Sequence, residues 1–282
     1  MGTTLHANCR VLRGQTAGRG VDIHDGLEAP NWAPWLRFTP DQFEAHASLF
    51  PEGQVLIVDE SDAPIAILST SRFMWDGEVS SLPTWSEIAG GTLTFEDLFS
   101  EDGNALALMS VSIRPDVQGN GFAEMLIRAA TDYAASSRIT YVMSDFRPSQ
   151  YGAYKARHPD AGFEHYCNLK REDGLPADAW LRALARLGMQ PIRVDDRAMV
   201  VRTSASAFDG YRLTWEIDSW EQVMDAGLVA LLSSRHRPEL SLAAVQETWE
   251  CGETGTWYVD RDANKAAYIE SNLWGSVAES GL

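Results

Sequence analysis

The chain has 282 residues, and its 40 acidic against 23 basic side chains give a formal net charge of −17 at pH 7. A protein with this negative charge is repelled by nucleic acid and by anionic membrane surfaces, which argues against both as general partners. No run of about eighteen apolar residues and no basic-then-apolar leader occurs, so we expect a soluble protein of the cytoplasm. Three widely spaced cysteines form no Cys-x-x-Cys pair, which argues against a metal site and against disulfides.

The first part of the chain predicts a helix followed by an antiparallel pair of strands. Up to about residue 28, glycines and polar residues without a sustained period indicate an N-terminal strand or a partly ordered arm. The sequence Thr39-Pro40-Asp41 is typical of a helix start. Two apolar runs, from Gln54 to Asp59 and from Pro64 to Thr70, are joined by a turn and predict strands.

A long segment without a sustained period, residues 76–104, separates these strands from the next apolar run. Long irregular segments in compact domains are often lids or binding loops. Within this insertion, Trp85 is a candidate to stack on a substrate or an acyl chain, although a tryptophan serves equally well as a packing residue. Glu87 lies two residues later and is a candidate general base.

The most informative part of the chain is a strand, a tight loop and a helix. The apolar run from Ala105 to Ile113 predicts a strand, Pro115 ends it, and apolar residues then recur at helical spacing from about Gly121 to Ser136. Such a loop presents backbone N–H groups at the positive end of the helix dipole, where glycine lets a phosphate approach closely. The loop is therefore a candidate diphosphate site. It matches neither the P-loop, which needs Gly-Lys-Ser or Gly-Lys-Thr, nor the Gly-x-Gly-x-x-Gly fingerprint, whose third glycine is replaced by Glu124.

This loop resembles the acyl-CoA loop of the GCN5-related N-acetyltransferase (GNAT) superfamily, whose pattern is Gln/Arg-x-x-Gly-x-Gly/Ala. The chain reads Gln-Gly-Asn-Gly-Phe-Ala over residues 118–123, after a Val-x-Ile-x-Pro lead-in over residues 111–115. The resemblance implies a mixed α/β (α+β) fold with a mostly antiparallel central sheet flanked by helices, and acetyl-CoA or another acyl-CoA as co-substrate. It assigns the pantetheine arm to Val111, Ser112 and Ile113. It assigns the diphosphate to Gln118, Gly119, Asn120, Gly121, Phe122 and Ala123.

Two later segments resemble a GNAT subgroup found beside polyketide and other acyl-chain assembly systems. They follow a short predicted strand from Thr140 to Ser144 and run from Arg147 to Lys155 and from Asp173 to Gly188. Some members of the subgroup act as loading modules that decarboxylate malonyl-CoA and pass the acetyl group to an acyl-carrier protein. The position that matches the subgroup's histidine is Leu184 in this chain. If that histidine serves decarboxylation, this chain is expected to keep acyl transfer and to lack the decarboxylase activity.

Candidate acid and base residues lie mainly beyond the loop and its helix. The superfamily often places a tyrosine after this helix to protonate the leaving thiolate, which by resemblance implies Tyr151 or Tyr154. A base or a chain of waters must also take a proton from an amine acceptor. Among the candidate bases, His158 is of the residue type that commonly serves as a base in enzymes, and it lies close in sequence to the tyrosines. The candidate bases are His158, His165, Glu87 and Glu253.

Residues 205–282 predict a C-terminal extension with a helical pattern from Val223 to Leu232 and a hairpin around Asp260 to Asn264. We expect it to pack on the core and to form a wall of the acceptor pocket, with Trp257 as a substrate-binding candidate. A second independent domain is the rival interpretation, although no linker rich in Pro, Ser or Gly separates it. The expected GNAT core covers residues 1–204, with the first helix and strands in 29–75, the insertion in 76–104 and the strand, loop and helix in 105–145.

These observations predict an acyl-CoA-dependent acyltransferase that moves an acyl group to an amine of a small molecule or peptide. The expected acyl group is acetyl, and the expected setting is natural-product or small-molecule metabolism. Three alternatives stay open. The first is a malonyl-CoA decarboxylase and S-acetyltransferase that loads an acyl-carrier protein. The second takes its acyl group from a carrier protein, which the acidic composition disfavours because carrier proteins are usually acidic too. The third is a non-catalytic acyl-CoA-binding sensor.

Overall fold

The computed structural model describes residues 9–215, 220–223 and 245–279. They divide into two compact units, one that holds residues up to 144 together with those from 276 on, and one that holds residues 145–275. The predicted domain boundary after residue 204 stays a prediction, and most of the predicted helix from Val223 to Leu232 lies outside the described residues. No helix within the described ranges is long and apolar enough to cross a membrane.

The first unit is built on strands that are hydrogen-bonded in chain order. The strands are β1 (Arg10–Arg13), β2 (Val55–Val58), β3 (Pro64–Phe73), β4 (Ala105–Ile113) and β5 (Tyr141–Phe146), of which β5 continues into the second unit. Strands β1 to β4 pair antiparallel, and β4 pairs parallel with β5. Every residue of β2 is buried. A strand covered on both faces needs no polar alternation, which explains its uninterrupted apolar sequence.

Local sequence signals set the helices of the first unit. They are α1 (Gly20–Ile23), which runs into the π-helical turn His24–Glu28, then α2 (Pro40–Leu49), α3 (Trp85–Ala89) and α4 (Phe122–Ser136). The predicted start of α2 is confirmed, because the Thr39 side chain accepts from the Gln42 N–H and the Gln42 side chain accepts from the Thr39 N–H. Pro40 occupies the first helical position, where its missing N–H costs no hydrogen bond.

Helix α4 packs against β2, β3 and β4. Its buried side chains include Leu126, Ile127, Ala130 and Ala134, which recur at helical spacing on one face. Burying a leucine or isoleucine contributes about 1.5–3 kcal/mol each, so this face anchors the helix to the sheet. The predicted strand, loop and helix of this part of the chain are confirmed.

The second unit combines four helices with antiparallel strands in the part of it that the structure describes. The helices are α5 (Tyr151–Arg157), α6 (Phe163–Cys167), α7 (Ala179–Arg186) and α8 (Ala205–Thr214). The strands are β6 (Gln190–Thr203), β7 (Glu221–Gln222), β8 (Glu247–Glu250), β9 (Thr256–Asp260) and β10 (Lys265–Glu279), of which β10 continues into the first unit. Strands β7 to β10 pair antiparallel in chain order, and β6 pairs with β10. The predicted terminal hairpin is therefore observed as β9 and β10. The predicted fold class, mixed α/β with mostly antiparallel strands, is confirmed.

Candidate active site

Strand β4 has an irregularity in the middle of its ladder with β3. The neighbouring residues Ser69 and Thr70 of β3 face Ser110 and Leu108 of β4, so Met109 is an extra residue and forms a β-bulge. On its other edge, β4 pairs with β5 only over its first three residues. The half of β4 that follows the bulge therefore extends beyond its ladder with β5.

The backbone polar groups of Val111 lie in this second half of β4 and face away from β3. The Arg114 N–H donates to the Ile65 carbonyl, which fixes the register of the ladder. In an antiparallel ladder, every second residue directs both its N–H and its C=O toward the partner strand. Ser112 therefore faces β3, whereas Val111 and Ile113 face away from it. The edge beside Val111 thus offers one donor and one acceptor to an extended ligand, as a neighbouring strand would.

The loop between β4 and α4 presents its backbone at two glycines. Gly119 and Gly121 have φ angles of +77° and +85°, in the left-handed region that favours glycine. A Cβ atom added to Gly119 would meet no atom within 4 Å, so the space in front of the loop is open. Helix α4 begins without a side-chain cap, whereas Thr39 caps α2 and Thr84 caps α3. The N-terminus of α4 therefore offers N–H donors and a positive dipole end to an anion.

The polar side chains of the loop hold its shape. The Gln118 amide donates to the Asn31 side-chain oxygen at 2.7 Å and to the Ile113 carbonyl at 3.3 Å. Asn31 donates to the same carbonyl at 2.8 Å. The Asn120 amide donates to the Val117 carbonyl at 2.9 Å. These bonds tie the loop to the end of β4.

The two arginines that flank the loop in sequence are paired with nearby acids. Arg114 lies 2.7 Å from Asp116 and 3.5 Å from Asp59. Arg128 lies 2.7 Å from Glu124, one turn away on α4. An anion in front of the loop would therefore be held chiefly by backbone N–H groups.

A buried carboxyl group, Glu28, lies against β4 and was not among the predicted site residues. Its two oxygens accept from the Phe38 N–H at 3.0 Å and from the Ser112 hydroxyl at 2.8 Å, and Ser112 in turn accepts from the Trp32 indole at 2.7 Å. Burial raises the pKa of Glu28 to about 7, while these two hydrogen bonds oppose the rise. A single acid in a polar arm carries no pattern in the sequence, so no local signal pointed to it.

The two candidate residues of the insertion, Trp85 and Glu87, both have structural partners within the first unit. The Trp85 side chain is only 8% exposed, its indole N–H donates to the Met109 carbonyl at 2.8 Å, and its ring stacks on Phe38. The Thr84 N–H donates to a Glu87 carboxylate oxygen at 2.6 Å, and the Glu87 N–H donates to the Thr84 hydroxyl at 3.1 Å. This reciprocal pair is a capping box at the start of α3.

The tyrosine and histidine candidates lie together in the second unit. Tyr154, His158 and His165 line a surface pocket of about 440 Å³. The Tyr154 ring centroid lies 4.5 Å from the His158 ring and 4.8 Å from the Tyr166 ring. Tyr151 is buried, and its ring is nearly perpendicular to that of Phe163, with centroids 5.0 Å apart. Tyr154 and His158 are therefore the members of this group that reach solvent beside one another.

Two further candidate residues of the second unit, Glu253 and Trp257, make contacts in its interior. Glu253 forms an ion pair with Arg147, whose guanidinium also lies 3.0 Å from the fully buried Glu270. Trp257 is fully buried, with ring centroids 5.1 Å from Phe208 and 5.6 Å from Tyr268. Leu184, at the subgroup's histidine position, is also fully buried, on α7.

The predicted site residues thus divide between the two units. The loop, the end of β4, Trp85 and Glu87 belong to the first unit, and Tyr151, Tyr154, His158 and Trp257 belong to the second. Over residues 9–215, 220–223 and 245–279, no group of three or more His, Cys, Asp or Glu side chains is arranged to hold a metal ion.

The match to a known family covers the elements just described. The model of the acetyltransferase (GNAT) family matches residues 26–157, which include the bulged strand, the loop and α4. The segment over residues 26–157 is thus similar to the GNAT family. The sequence resemblance to that family is therefore confirmed.

A curated acetyltransferase is similar to part of this chain. The arginine N-acetyltransferase avaD of Aspergillus versicolor is 23% identical over 180 residues, which are 61% of this chain and 55% of that protein. The chain thus spans about half the length of this curated relative.

Two solved structures share the fold. The loading GNATL domain of CurA from Lyngbya majuscula has a TM-score of 0.54 at 20% identity, covering 66% of this chain and 86% of that domain. The GphF GNAT-like decarboxylase, solved in complex with isobutyryl-CoA, has a TM-score of 0.52 at 18% identity, covering 68% of this chain and 90% of that one. At these identities the likeness shows a common fold.

Proposed function

We propose that the protein is an acyl-CoA-dependent acyltransferase whose acceptor is an amine. The observation that carries the proposal is the combination, in one GNAT segment, of an uncapped helix N-terminus and a strand edge extending beyond its partner. The first suits a diphosphate and the second suits the amide-bearing pantetheine arm. Both groups occur in a single ligand, coenzyme A.

The residues of the first unit fit this ligand. The N–H groups of the loop over Gln118, Gly119, Asn120, Gly121, Phe122 and Ala123 would hold the diphosphate. The open space beyond Gly119 leaves room for its oxygens. The N–H and C=O of Val111 would pair with pantetheine amides, between Ser112 and the bulge. Bound acyl-CoA supplies the activated acyl thioester.

An amine acceptor agrees with the charge of the insertion. Residues 76–104 contain no Lys, Arg or His, and all of their acidic side chains are exposed. A carboxylate-rich segment attracts a protonated amine or a guanidinium compound and repels an anionic one. The relative named as an arginine N-acetyltransferase supports the same class of acceptor. The acidic residues of the segment are Asp76, Glu78, Glu87, Glu96, Asp97, Glu101 and Asp102.

We assign the proton transfers to Tyr154 and His158. A protonated amine must lose a proton before it attacks, and a departing thiolate must gain one. An imidazole nitrogen can accept a proton, so His158 suits the first role, whereas the Tyr154 hydroxyl can donate one and suits the second. Burial disfavours Tyr151 for these roles, and Glu87 is already bonded to the start of α3.

A second function, decarboxylation of malonyl-CoA with loading of a carrier protein, is favoured by the names of the two structural neighbours. The buried leucine at position 184 argues against it, since an aliphatic side chain can neither donate nor accept a proton. A carrier protein as partner belongs to this second function.

The test is thiol release and intact mass after the full chain is mixed with acetyl-, malonyl- or longer acyl-CoA. Each donor is offered alone, with a panel of amines that includes arginine, and with an acyl-carrier protein. We expect free thiol to appear only when an amine is present. Loss of CO2 from malonyl-CoA with acylation of the carrier protein would replace the proposal by the loading reaction. Tight binding without turnover by any acceptor would replace it by a sensor.

A further inference from the structure

Two neighbouring carbonyl groups at the bulge of β4 face the same way. The Ser110 N–H faces β3 in the register fixed by Arg114 and Ile65, so the carbonyl on the other side of that trans peptide group, that of Met109, points away from β3. The Leu108 carbonyl accepts from the Ser144 hydroxyl on β5, the strand on the opposite edge. An uncapped pair of such oxygens would form a patch of partial negative charge.

Both oxygens are instead bonded to side-chain donors. Ser144 donates to the Leu108 carbonyl, and the Trp85 indole N–H donates to the Met109 carbonyl at 2.8 Å in a buried contact. A peptide group is planar, so the bond to Met109 also fixes the direction of the Ser110 N–H. Val111 is the next residue along the strand, and its orientation follows from that of Ser110.

Trp85 is itself held in a single orientation. It is the first residue of α3, whose start is fixed by the capping box of Thr84 and Glu87. Its ring stacks on Phe38 with centroids 6.0 Å apart and an interplanar angle of 20°. The insertion thus delivers a rigid hydrogen-bond donor to the bulge.

We propose that Trp85 is a positioning residue. Its indole N–H fixes the bulge peptide of β4 and thereby sets the position and direction of the Val111 N–H and C=O groups. The role in catalysis rests on the proposed function, because Val111 is the assigned partner of the pantetheine arm. Misplacing a thioester by a fraction of an ångström raises the barrier of transfer more than it weakens binding, since the diphosphate loop is untouched. A substrate-stacking tryptophan would instead change the affinity for the acceptor.

The test compares Trp85→Phe with a matched control, Trp75→Phe. Both tryptophans are 8% exposed, each contacts one aromatic ring, and each donates its indole N–H to a backbone carbonyl, that of Glu78 at 3.0 Å in the case of Trp75. Both variants therefore lose one hydrogen bond and similar packing, and are expected to lose similar stability. Ser144→Ala, a smaller change, removes the other donor at the bulge.

The first readout is amide hydrogen exchange by NMR without any ligand. We expect faster exchange at Ser110 in Trp85→Phe, faster exchange at Met109 in Ser144→Ala, and no change at these two amides in Trp75→Phe. Equal exchange at these amides in the two tryptophan variants would overturn the positioning role, whatever the protein's activity.

The second readout is kinetics together with CoA affinity. We expect Trp85→Phe to lower kcat by about tenfold while KM for the acceptor and Kd for CoA change by less than about twofold, and Trp75→Phe to retain kcat. A rise in acceptor KM with unchanged kcat would assign Trp85 to substrate binding and overturn the inference. Failure of the wild-type protein to bind CoA would refute the proposed function and the catalytic part of the inference, and the exchange comparison would still decide the structural part.

Discussion

Replacing Gly119 by alanine tests the assignment of the loop with a control inside the same unit. Gly18 has the same φ of +77°, and a Cβ atom at either position would meet nothing within 4 Å. Alanine in this left-handed conformation costs about 1–2 kcal/mol of stability, so Gly119→Ala and Gly18→Ala should destabilise the fold equally. Only the methyl group at residue 119 lies where a diphosphate oxygen would approach the loop. Loss of one charge-assisted hydrogen bond, about 1.5–3 kcal/mol, corresponds to roughly 10- to 100-fold weaker binding.

The assay is calorimetric titration of CoA into each full-length variant, with urea unfolding in parallel. We expect Gly119→Ala to raise the Kd for CoA by roughly 10- to 100-fold, and Gly18→Ala to leave it within about twofold of wild type. The two unfolding curves should coincide. Equal CoA affinity in the two variants, at equal stability, would refute the assignment of the loop.

Three further variants test individual residues. Glu87→Ala should lower the free energy of unfolding by about 1 kcal/mol, because Glu87 closes the capping box of α3, and should leave the pH profile of kcat unchanged. Loss of the acidic limb of that profile would make Glu87 the base. Burial raises the pKa of Glu28 from 4.5 to about 7, so the native state holds this proton more tightly than the unfolded chain. The free energy of unfolding should therefore fall by about 3 kcal/mol as the pH rises from the lower to the higher of these two pKa values. Urea unfolding at about pH 5 and about pH 8 should therefore show a weaker pH dependence in Glu28→Gln, and an unchanged pH dependence would contradict the buried position of the carboxyl. Tyr154→Phe should lower kcat by about 100-fold with CoA affinity retained, and wild-type kcat in this variant would assign the proton to another group.

The elements that local chemistry defines could be predicted from the sequence. Thr39 with Gln42 caps α2, as the Thr-Pro-Asp start indicated. The terminal hairpin and the strand, loop and helix around Gly119 also follow from turn residues and apolar periodicity. These features depend on residues close together in the chain, so a single sequence carries their signal. Strand β3 extends three residues beyond the predicted Thr70 because its pairing with β4 continues there.

The features that need tertiary structure could not be predicted. The bulge at Met109 arises from the register between two strands, and it cannot be seen in the sequence of either strand alone. The buried position of Glu28 depends on donors that lie 10 and 84 residues away in sequence. The hydrogen-bond partner of Trp85 is a backbone carbonyl, which every residue carries, so the sequence gives no sign of this contact. For such residues the amino-acid type indicates which interactions are possible, whereas the structure shows which partner each side chain contacts.

The most direct test of the central claim is amide hydrogen–deuterium exchange of the full chain with and without CoA, read by mass spectrometry. If the strand edge and the loop hold coenzyme A, peptides that cover residues 109–126 should exchange more slowly in its presence, because their N–H groups become hydrogen-bonded to the ligand. Peptides of β1 and β2 should not change. Unchanged exchange over residues 109–126 at saturating CoA would contradict the account.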